Sequence, residues 1–390
     1  MQKPVVLIEQ DAGEFMSWNV LQKEVEKYGW QLFNLSSTRG FLPRTLPIVG
    51  ALVQHGADDP LLKTLKEKKI PFVRIGNAPT FYYEKTKMST VAIDIAKSGK
   101  VAAKYFSERG FNHLAYIGNY EMVNGRQLYE NFSNAAEIYG CKVYLHKLKR
   151  AKNKDKNEIE EYLWDSAREI TNWLAGLPKP VGLLTYSDKL ASRYIAYCTD
   201  VGIKVPEDVA VLGIGNSSFT CETASVSISS IDLPWSRVWI NSLRLLKKMI
   251  NGKVRTPIYK FIAPSIVNER KSTESLVLEN PVVKKSVQYI WENYSRNIGV
   301  EDIVNLTGVS RRTLQVNFKE TLDRGINEEI IKKRLDVAQR LLLNTDMTVL
   351  EIAKKCGYNS ANYFNKAFVK KHNCTAIEYR KKNIGKLNLD

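Results

Sequence analysis

Histidine is scarce in this chain of 390 residues: there are four, His55, His113, His146 and His372. None falls in an H-E-x-x-H pattern or at metal-ligand spacing from a cysteine, so no zinc site is offered. The cysteines, Cys141, Cys198, Cys221, Cys356 and Cys374, are odd in number and form no C-x-x-C pair. They read as reduced thiols of a cytoplasmic protein, mostly in or near a core, and not as a disulfide framework. No apolar run approaches the roughly 18 residues of a membrane span. The opening stretch Val5-Val6-Leu7-Ile8 is too short for a secretion signal and reads as a first strand. There is no G-x-S-x-G nucleophile elbow and no G-x-x-x-x-G-K-[ST] phosphate loop. Gly213-Ile214-Gly215-Asn216-Ser217-Ser218 lacks the third glycine of a dinucleotide fingerprint. Catalytic residues, a metal and a cofactor are therefore not expected, nor is a membrane partner.

What the chain does have is positive charge. Its formal net charge is +17, and 44% of its residues are hydrophobic, enough for a substantial core. A surplus of that size favours a polyanionic partner, with nucleic acid first. The charge is uneven. Residues 281–390 hold 20 Lys and Arg against 12 Asp and Glu, so nearly half of the surplus sits in the last 110 residues. That is where a polyanion is expected to dock.

The first 270 residues alternate short apolar runs with amphipathic stretches. The runs are Val5–Ile8, Trp30–Leu35, Val49–Val53, Phe72–Ile75, Leu114–Ile117, Val143–Leu148, Val181–Thr185 and Val209–Ile214. Helix-like segments lie between them near 15–28, 60–68, 97–108, 125–139, 158–176 and 188–201. Strands apolar on both faces and separated by helices predict parallel sheet covered on both sides, a doubly wound α/β architecture. The units are too many for one small sheet, which predicts two lobes. Turn residues follow several strands: Gly76-Asn77, Gly118-Asn119 and Gly213 to Asn216. Ligands bind beyond the carboxyl ends of strands in such sheets. The polar stretch at 271–281 reads as a linker. From 282 to 390 the pattern becomes all-helical, with helices predicted near 300–306, 311–321, 327–343, 348–355, 361–371 and 376–382.

Two segments of the helical part share one grammar. In Val300–Phe318 a short helix ends at Gly308, Val309 plugs the core, Ser310 caps the next helix, and Leu314 and Phe318 face inward. This leaves Arg311, Arg312 and Gln315 outside. In Thr348–Phe368 the turn glycine is Gly357, the plug is aromatic, the cap is Ser360, and Phe364 and Phe368 face inward. Asn362, Asn365 and Lys366 remain outside, with Tyr363 among the candidates for contact. Arg pairs with the O6 and N7 of guanine, Asn and Gln with the N6 and N7 of adenine, while Lys and Ser hold phosphates. Each segment thus reads as a helix-turn-helix. One such turn is a weak signal. Two copies about 49 residues apart, joined by a helix with the apolar stripe Ile331, Leu335, Ala338 and Leu342, are a strong one. A connecting helix of about 25 Å, with its turns, would set the reading helices about one DNA turn apart.

Residues 283–382 resemble the AraC/XylS family of transcription regulators over the whole DNA-binding domain. The resemblance rests on Arg334-Leu335 through Leu341-Leu342, Ile352-Ala353, Gly357-Tyr358, Tyr363 through Lys371, and Glu378-Tyr379-Arg380. Asn373 stands where a glycine is usual and Ala376 where a proline is usual. The first 270 residues resemble the ligand-binding region of LacI-type repressors and periplasmic sugar-binding proteins, through Ala103–Phe111, Leu114–Gly118, Tyr186-Ser187-Asp188 and Gly202–Gly213. That resemblance implies two lobes closing on a monosaccharide, with Asp94, Asp188 and Asn216 holding sugar hydroxyls. Asp94 and Asp188 read equally well as a helix cap or a surface acid. Gly215 occupies a place where a sugar-binding aspartate is expected, and Leu190 replaces a common basic residue. Phe15, Trp18 and Tyr186 are aromatics of a kind that stack on sugar faces, or ordinary packing residues.

The expectation is a cytoplasmic, nucleoid-associated, sequence-specific regulator, an activator by resemblance. It would bind double-stranded DNA at tandem half-sites as a homodimer, answer to a sugar such as a pentose, and have RNA polymerase as a further partner. The alternatives are an architectural or ligand-independent DNA binder and a cytoplasmic sugar-binding receptor.

Overall fold

The structure, a computed structural model, describes residues 3–8, 18–35, 45–54, 60–76, 87–118, 120, 122–148, 167–254, 256–264, 266–345 and 347–385. Asn77, Asn119 and Phe15 lie outside the described residues. The chain forms two compact units. One comprises Met1–Glu108 and Asn112–Glu274, and the other Arg109–Phe111 and Ser275–Asn388.

The first unit contains strands β1 (Val5–Ile8), β2 (Gln31–Asn34), β3 (Ile48–Val53), β4 (Phe72–Gly76), β5 (Thr90–Ile93), β6 (His113–Gly118), β7 (Lys142–Lys147), β8 (Val181–Thr185), β9 (Val209–Gly215), β10 (Ser229–Asp232), β11 (Tyr259–Ile262) and β12 (Ile266–Asn268). Its helices are α1 (Trp18–Lys27), α2 (Pro60–Glu67), α3 (Ser98–Ser107), α4 (Val123–Ile138), α5 (Ala167–Ala175), α6 (Asp188–Asp200), α7 (Ser218–Thr223) and α8 (Trp235–Ile250). The strands form two six-stranded sheets, ordered β11-β5-β4-β3-β1-β2 and β12-β10-β9-β8-β6-β7. All neighbours are parallel except β10 and β12. This is the expected two-lobed α/β arrangement.

Alternation along β1 explains why its run is apolar throughout. Val6 and Ile8 enter one core with Leu52, Val73, Val91 and helix α8, whereas Val5 and Leu7 enter the opposite core with Ala51, Val53, Leu62 and Leu65. Covered on both faces, β1 has no solvent-facing position for a polar residue. Helix α8, absent from the sequence reading, supplies Val238, Trp239, Leu243, Leu245 and Leu246 to the first of these cores. Strands β5 and β10 were also not anticipated, because they carry small and polar residues. Those residues are nevertheless buried and bonded: Thr90 Oγ1 donates to the Met88 carbonyl at 2.9 Å and Ser229 Oγ to that of Arg270 at 2.9 Å. The expected linker is partly structured. Lys271–Thr273 forms a 3-10 turn of the first unit, in which buried Ser272 donates to the Val211 carbonyl at 2.6 Å.

The chain passes between the two sheets three times: between β5 and α3, between β10 and α8, and between β11 and β12. Asp94 lies at the first passage and Asp232 ends the strand before the second. Both stand at carboxyl ends of parallel strands, where ligands bind in folds of this class.

The second unit is all helical: α9 (Pro281–Asn293), α10 (Val300–Thr307), α11 (Arg311–Leu322), α12 (Ile326–Asn344), α13 (Val349–Lys355), α14 (Ala361–His372) and α15 (Ala376–Gly385). Each predicted helix is present. Helix α12 belongs to two cores. Ile326 and Ile330 pack with Val283, Val287, Ile303, Leu314 and Phe318. Leu335, Ala338 and Leu342 pack with Ile352, Tyr358, Phe364 and Phe368. The turns after α11 and α14 match: Asp323 (φ 51°) and Asn373 (φ 54°) both adopt the left-handed conformation. Asn and Asp tolerate it better than other side chains, which accounts for Asn373 where glycine is usual.

One buried ion pair in the first unit sets a pH dependence. Glu24 on α1 accepts from Nε of Arg244 on α8 at 2.8 Å and from Tyr28 Oη at 3.0 Å. Burial alone would raise its pKa, but the bonds from Arg244, Lys27 and Tyr28 outweigh burial and hold it at about 2. A carboxylate depressed in the folded state stabilises fully above its unfolded value, and that contribution fades as pH falls from about 4.5 toward 2. The Glu24→Gln variant is expected to lose on the order of 2–3 kcal/mol at pH 7. The deficit should narrow below pH 4.5; thermal melts of both forms across that range would show no pH-dependent difference if the pair contributes nothing.

Candidate nucleic-acid interface and ligand cleft

The first helix-turn-helix is α10, the turn at Gly308 and α11. Gly308 takes φ 72°, which closes the turn and aims α11 away from α10. Val309 is half-buried against the core, as expected of a plug. Ser310 accepts the Thr313 N–H on its hydroxyl at 3.1 Å, which starts α11. Leu314 and Phe318 are fully buried, so register alone turns Arg311, Arg312 and Gln315 outward, and all three are exposed. Arg311 bonds Glu301 through Nη1 at 3.2 Å. Both partners are solvent-exposed, so the pair is weak and exchangeable for a phosphate.

The second is α13, the turn at Gly357 and α14. Gly357 has φ 78°, and an added Cβ would meet the Tyr294 carbonyl oxygen at 2.5 Å, so only glycine fits. Tyr358 is the aromatic plug, 3% exposed. Ser360 departs from expectation. It occupies the cap position, yet its hydroxyl accepts no bond from α14, which leaves that oxygen for another partner. Asn362, Tyr363 and Lys366 are exposed. Asn365 is only half-buried and its Oδ1 is enclosed without a protein partner. The outer face is thus narrower than the sequence suggested, with Asn362 and Lys366 at its centre.

Two arginines of the family-like segments have structural duties. Arg334 donates to the carbonyls of Tyr294 and Arg296 at 2.8 and 2.7 Å, beyond the end of α9. Arg380 donates to the Leu342 carbonyl at 2.9 Å near the end of α12. Cations at these positions satisfy carbonyls that a helix end leaves open.

In the first unit, the sequence-selected acids occupy different environments. Asp188 opens α6 and is 3% exposed. Its Oδ2 accepts the Ser217 N–H at 2.8 Å, and its Oδ1 accepts the Ser230 hydroxyl at 2.5 Å. Gly213 lies so close that a Cβ there would meet Asp188 Oδ1 at 2.2 Å. Burial pushes the Asp188 pKa up against these bonds. The carboxylate thus anchors the turn after β9. Asn216 sits on that turn with φ 56°. It donates through Nδ2 to Asp232 Oδ1 at 3.1 Å and accepts from Arg270 Nη2 at 3.1 Å. Asp94 is only partly exposed and pairs with Lys97 at 2.8 Å. Tyr186 is half-buried beside Asn124, with which it shares a hydrogen bond.

Asp232 is the residue that sequence reading missed. Gly215 replaces an expected aspartate, and its φ of 128° is one that residues with a Cβ rarely adopt. In the parallel ladder Asp232 pairs with Gly215, so the neighbouring strand returns a carboxylate to that place. Burial raises the Asp232 pKa to about 6, with Asn216 opposing and Asp188 adding to the shift. The one signal in the sequence was an acid closing the short run Ser229-Ser230-Ile231-Asp232 ahead of Pro234.

The bonding of Asp188 distinguishes a support from a ligand contact. Asp188→Asn replaces one acceptor by a donor facing either the Ser217 N–H or the Ser230 hydroxyl. It is expected to destabilise the ligand-free first unit by about 1–3 kcal/mol. An unchanged melting temperature with no sugar present would refute the anchoring role.

Comparison with known proteins agrees with this fold. Residues 103–273 match a periplasmic binding protein-like domain and residues 303–382 a helix-turn-helix domain. The xylose operon regulatory protein of Escherichia coli is 26% identical over 91% of this chain and 90% of that protein. An HTH-type transcriptional regulator of Pseudoalteromonas carrageenovora is 32% identical over 29% of this chain and 68% of that protein. The solved structure of the xylose-binding transcription activator XylR shares the fold over 98% of this chain and 99% of that one, with a TM-score of 0.57 and 22% identity. The chain therefore belongs to the AraC/XylS family of helix-turn-helix transcription regulators, with a periplasmic-binding-protein-like domain ahead of its DNA-binding domain.

Proposed function

We propose that this regulator binds a monosaccharide at the carboxyl ends of its two sheets, and that sugar changes its occupancy of tandem half-sites on duplex DNA. The observation that carries the sugar assignment is the cluster of Asn216, Asp232 and Arg270 beside Gly215, joined by hydrogen bonds of 3.1 Å. Carboxylate, amide and guanidinium together offer the donors and acceptors that hydroxyl groups need. Asp94, at the first passage between sheets, adds a second carboxylate, and Asp188 supports the turn from beneath. The likeness to a xylose operon regulator and to a xylose-binding activator supports a pentose first. Sugar shifts the regulator only through unequal affinity for two arrangements of the lobes.

On the DNA side, Arg312 and Gln315 of α11 and Asn362 of α14 read base edges. Ser310, Arg311, Ser360, Tyr363 and Lys366 hold or flank phosphates, with Asn365 beside them. The regulator acts in the cytoplasm on the nucleoid, as a homodimer that activates transcription through RNA polymerase. A ligand-independent DNA binder is the second reading.

Fragments selected from random duplexes, with and without sugars, test the DNA assignment. Arg312→Ala or Asn362→Ala is expected to lose about 1–3 kcal/mol at a selected site and to relax preference at one base pair. Lys366→Ala should weaken all duplexes alike and reduce the salt slope by about one. Equal binding by wild type and the Arg312/Asn362 double variant would remove these residues from the reading face.

The sugar assignment has its own measurement. Pentose at about 100 times its Kd is expected to raise the melting temperature of the first unit by about 5–10 °C. Asp232 accepts hydroxyl bonds as a carboxylate, so affinity should hold above pH 6 and decline as pH falls through it. Asp232→Asn should remove that pH dependence. No shift with any pentose or hexose favours the ligand-independent reading.

A further inference from the structure

The outward face of α11 carries one residue that charge and hydrogen bonding leave unexplained. Val316 is 47% exposed although it is apolar. Its neighbours in the chain show why: Leu314 and Phe318 are fully buried, and α11 has no third inward position between them. Val316 contributes to no core. Nor does the helix favour it, since an exposed β-branched residue in mid-helix is a poorer choice than alanine, lysine or glutamate. Helical spacing places it one turn beyond Arg312, beside Gln315. It therefore stands among the side chains assigned to base edges.

The second unit shows the contrast. Counting back from the inner phenylalanine, Phe318 in α11 and Phe368 in α14, the corresponding residue is Val316 in one and Lys366 in the other. One reading helix presents a cation at this position and the other a pair of methyl groups. In the major groove the apolar feature that distinguishes base pairs is the C5 methyl of thymine, which an apolar side chain contacts directly.

We propose that Val316 is a specificity residue that packs against thymine methyl groups in the half-site read by α11. The proposal rests on the assignment of α11 as a major-groove reading helix. It makes that half-site one with an A·T pair close to the pair read by Arg312. Gln315 is consistent with this, since its amide pairs with the adenine edge. One helical turn of about 5.4 Å covers fewer than two base-pair steps of about 3.4 Å, so the thymine lies within about three base pairs of the Arg312 contact.

The test uses the full chain and duplexes it selects from a random pool, each resynthesised with deoxyuridine in place of one thymidine at a time. Uracil keeps the pairing edge and loses only the methyl. Wild type is expected to bind three- to fivefold more weakly at one or two such positions, the factor carried by one buried methyl-sized group. These positions should lie beside the base pair whose preference Arg312→Ala relaxes. Val316→Ala should bind thymine and uracil duplexes there equally, with its salt dependence unchanged, since it touches neither the core nor a phosphate. Wild type indifferent to every replacement would overturn the proposal, as would Val316→Ala with wild-type sensitivity. A chain that selects no duplex at all instead removes the reading-helix assignment, and Val316 falls with it.

Discussion

The DNA-binding unit depends on one shared element, helix α12. Its first turns complete the core that holds α10 and α11, and its later turns complete the core that holds α13 and α14. Two small cores of this kind would be marginal alone, because little apolar area is available to each. A common helix lets one ordering event serve both. It also fixes the distance between the reading helices, since 19 helical residues cannot bend or stretch without breaking backbone bonds. Arg334 reinforces the arrangement by binding the Tyr294 and Arg296 carbonyls from the middle of α12. Spacing is thus a property of packing and not of a linker.

Much of this unit was legible in the sequence because each rule at work there is local. Gly308 and Gly357 mark left-handed turns, Ser310 caps the next helix, and Leu314, Phe318, Phe364 and Phe368 keep the four-residue spacing of a buried face. Where the reading fell short, the packing around a side chain decided. Ser360 sits at a cap position without making the cap bond, and Asn365 turns its Oδ1 inward. Helical period alone placed it outside, because period says which way a side chain points and not how closely neighbouring turns enclose it.

The first unit was less legible for a related reason. Parallel strands apolar on both faces announce themselves, and those were found. Strand β10 did not, because Ser229 and Ser230 are buried by virtue of partners far along the chain: Arg270, Thr273 and Asp188. The same distance hid Asp232. Its relation to Gly215 exists only in the ladder between β9 and β10. Asp188 shows what bonding adds. Resemblance marked it for ligand, and in the structure its oxygens accept the Ser217 N–H and the Ser230 hydroxyl. Resemblance located the cluster; bonding divided the labour within it.

The two helix-turn-helix units repeat a scaffold without repeating a surface. Arg312, Gln315 and Val316 on α11 correspond to Asn362, Asn365 and Lys366 on α14. Under the proposed function, the half-sites of one chain must therefore differ in sequence. A rigid spacer turns that difference into direction. With α12 fixing the separation, the chain reversed on DNA would present an amide and a cation where a guanidinium and an apolar group are required, and would lose both sets of contacts together. Side-chain chemistry then reinforces the direction that tandem half-sites already give a chain on the duplex.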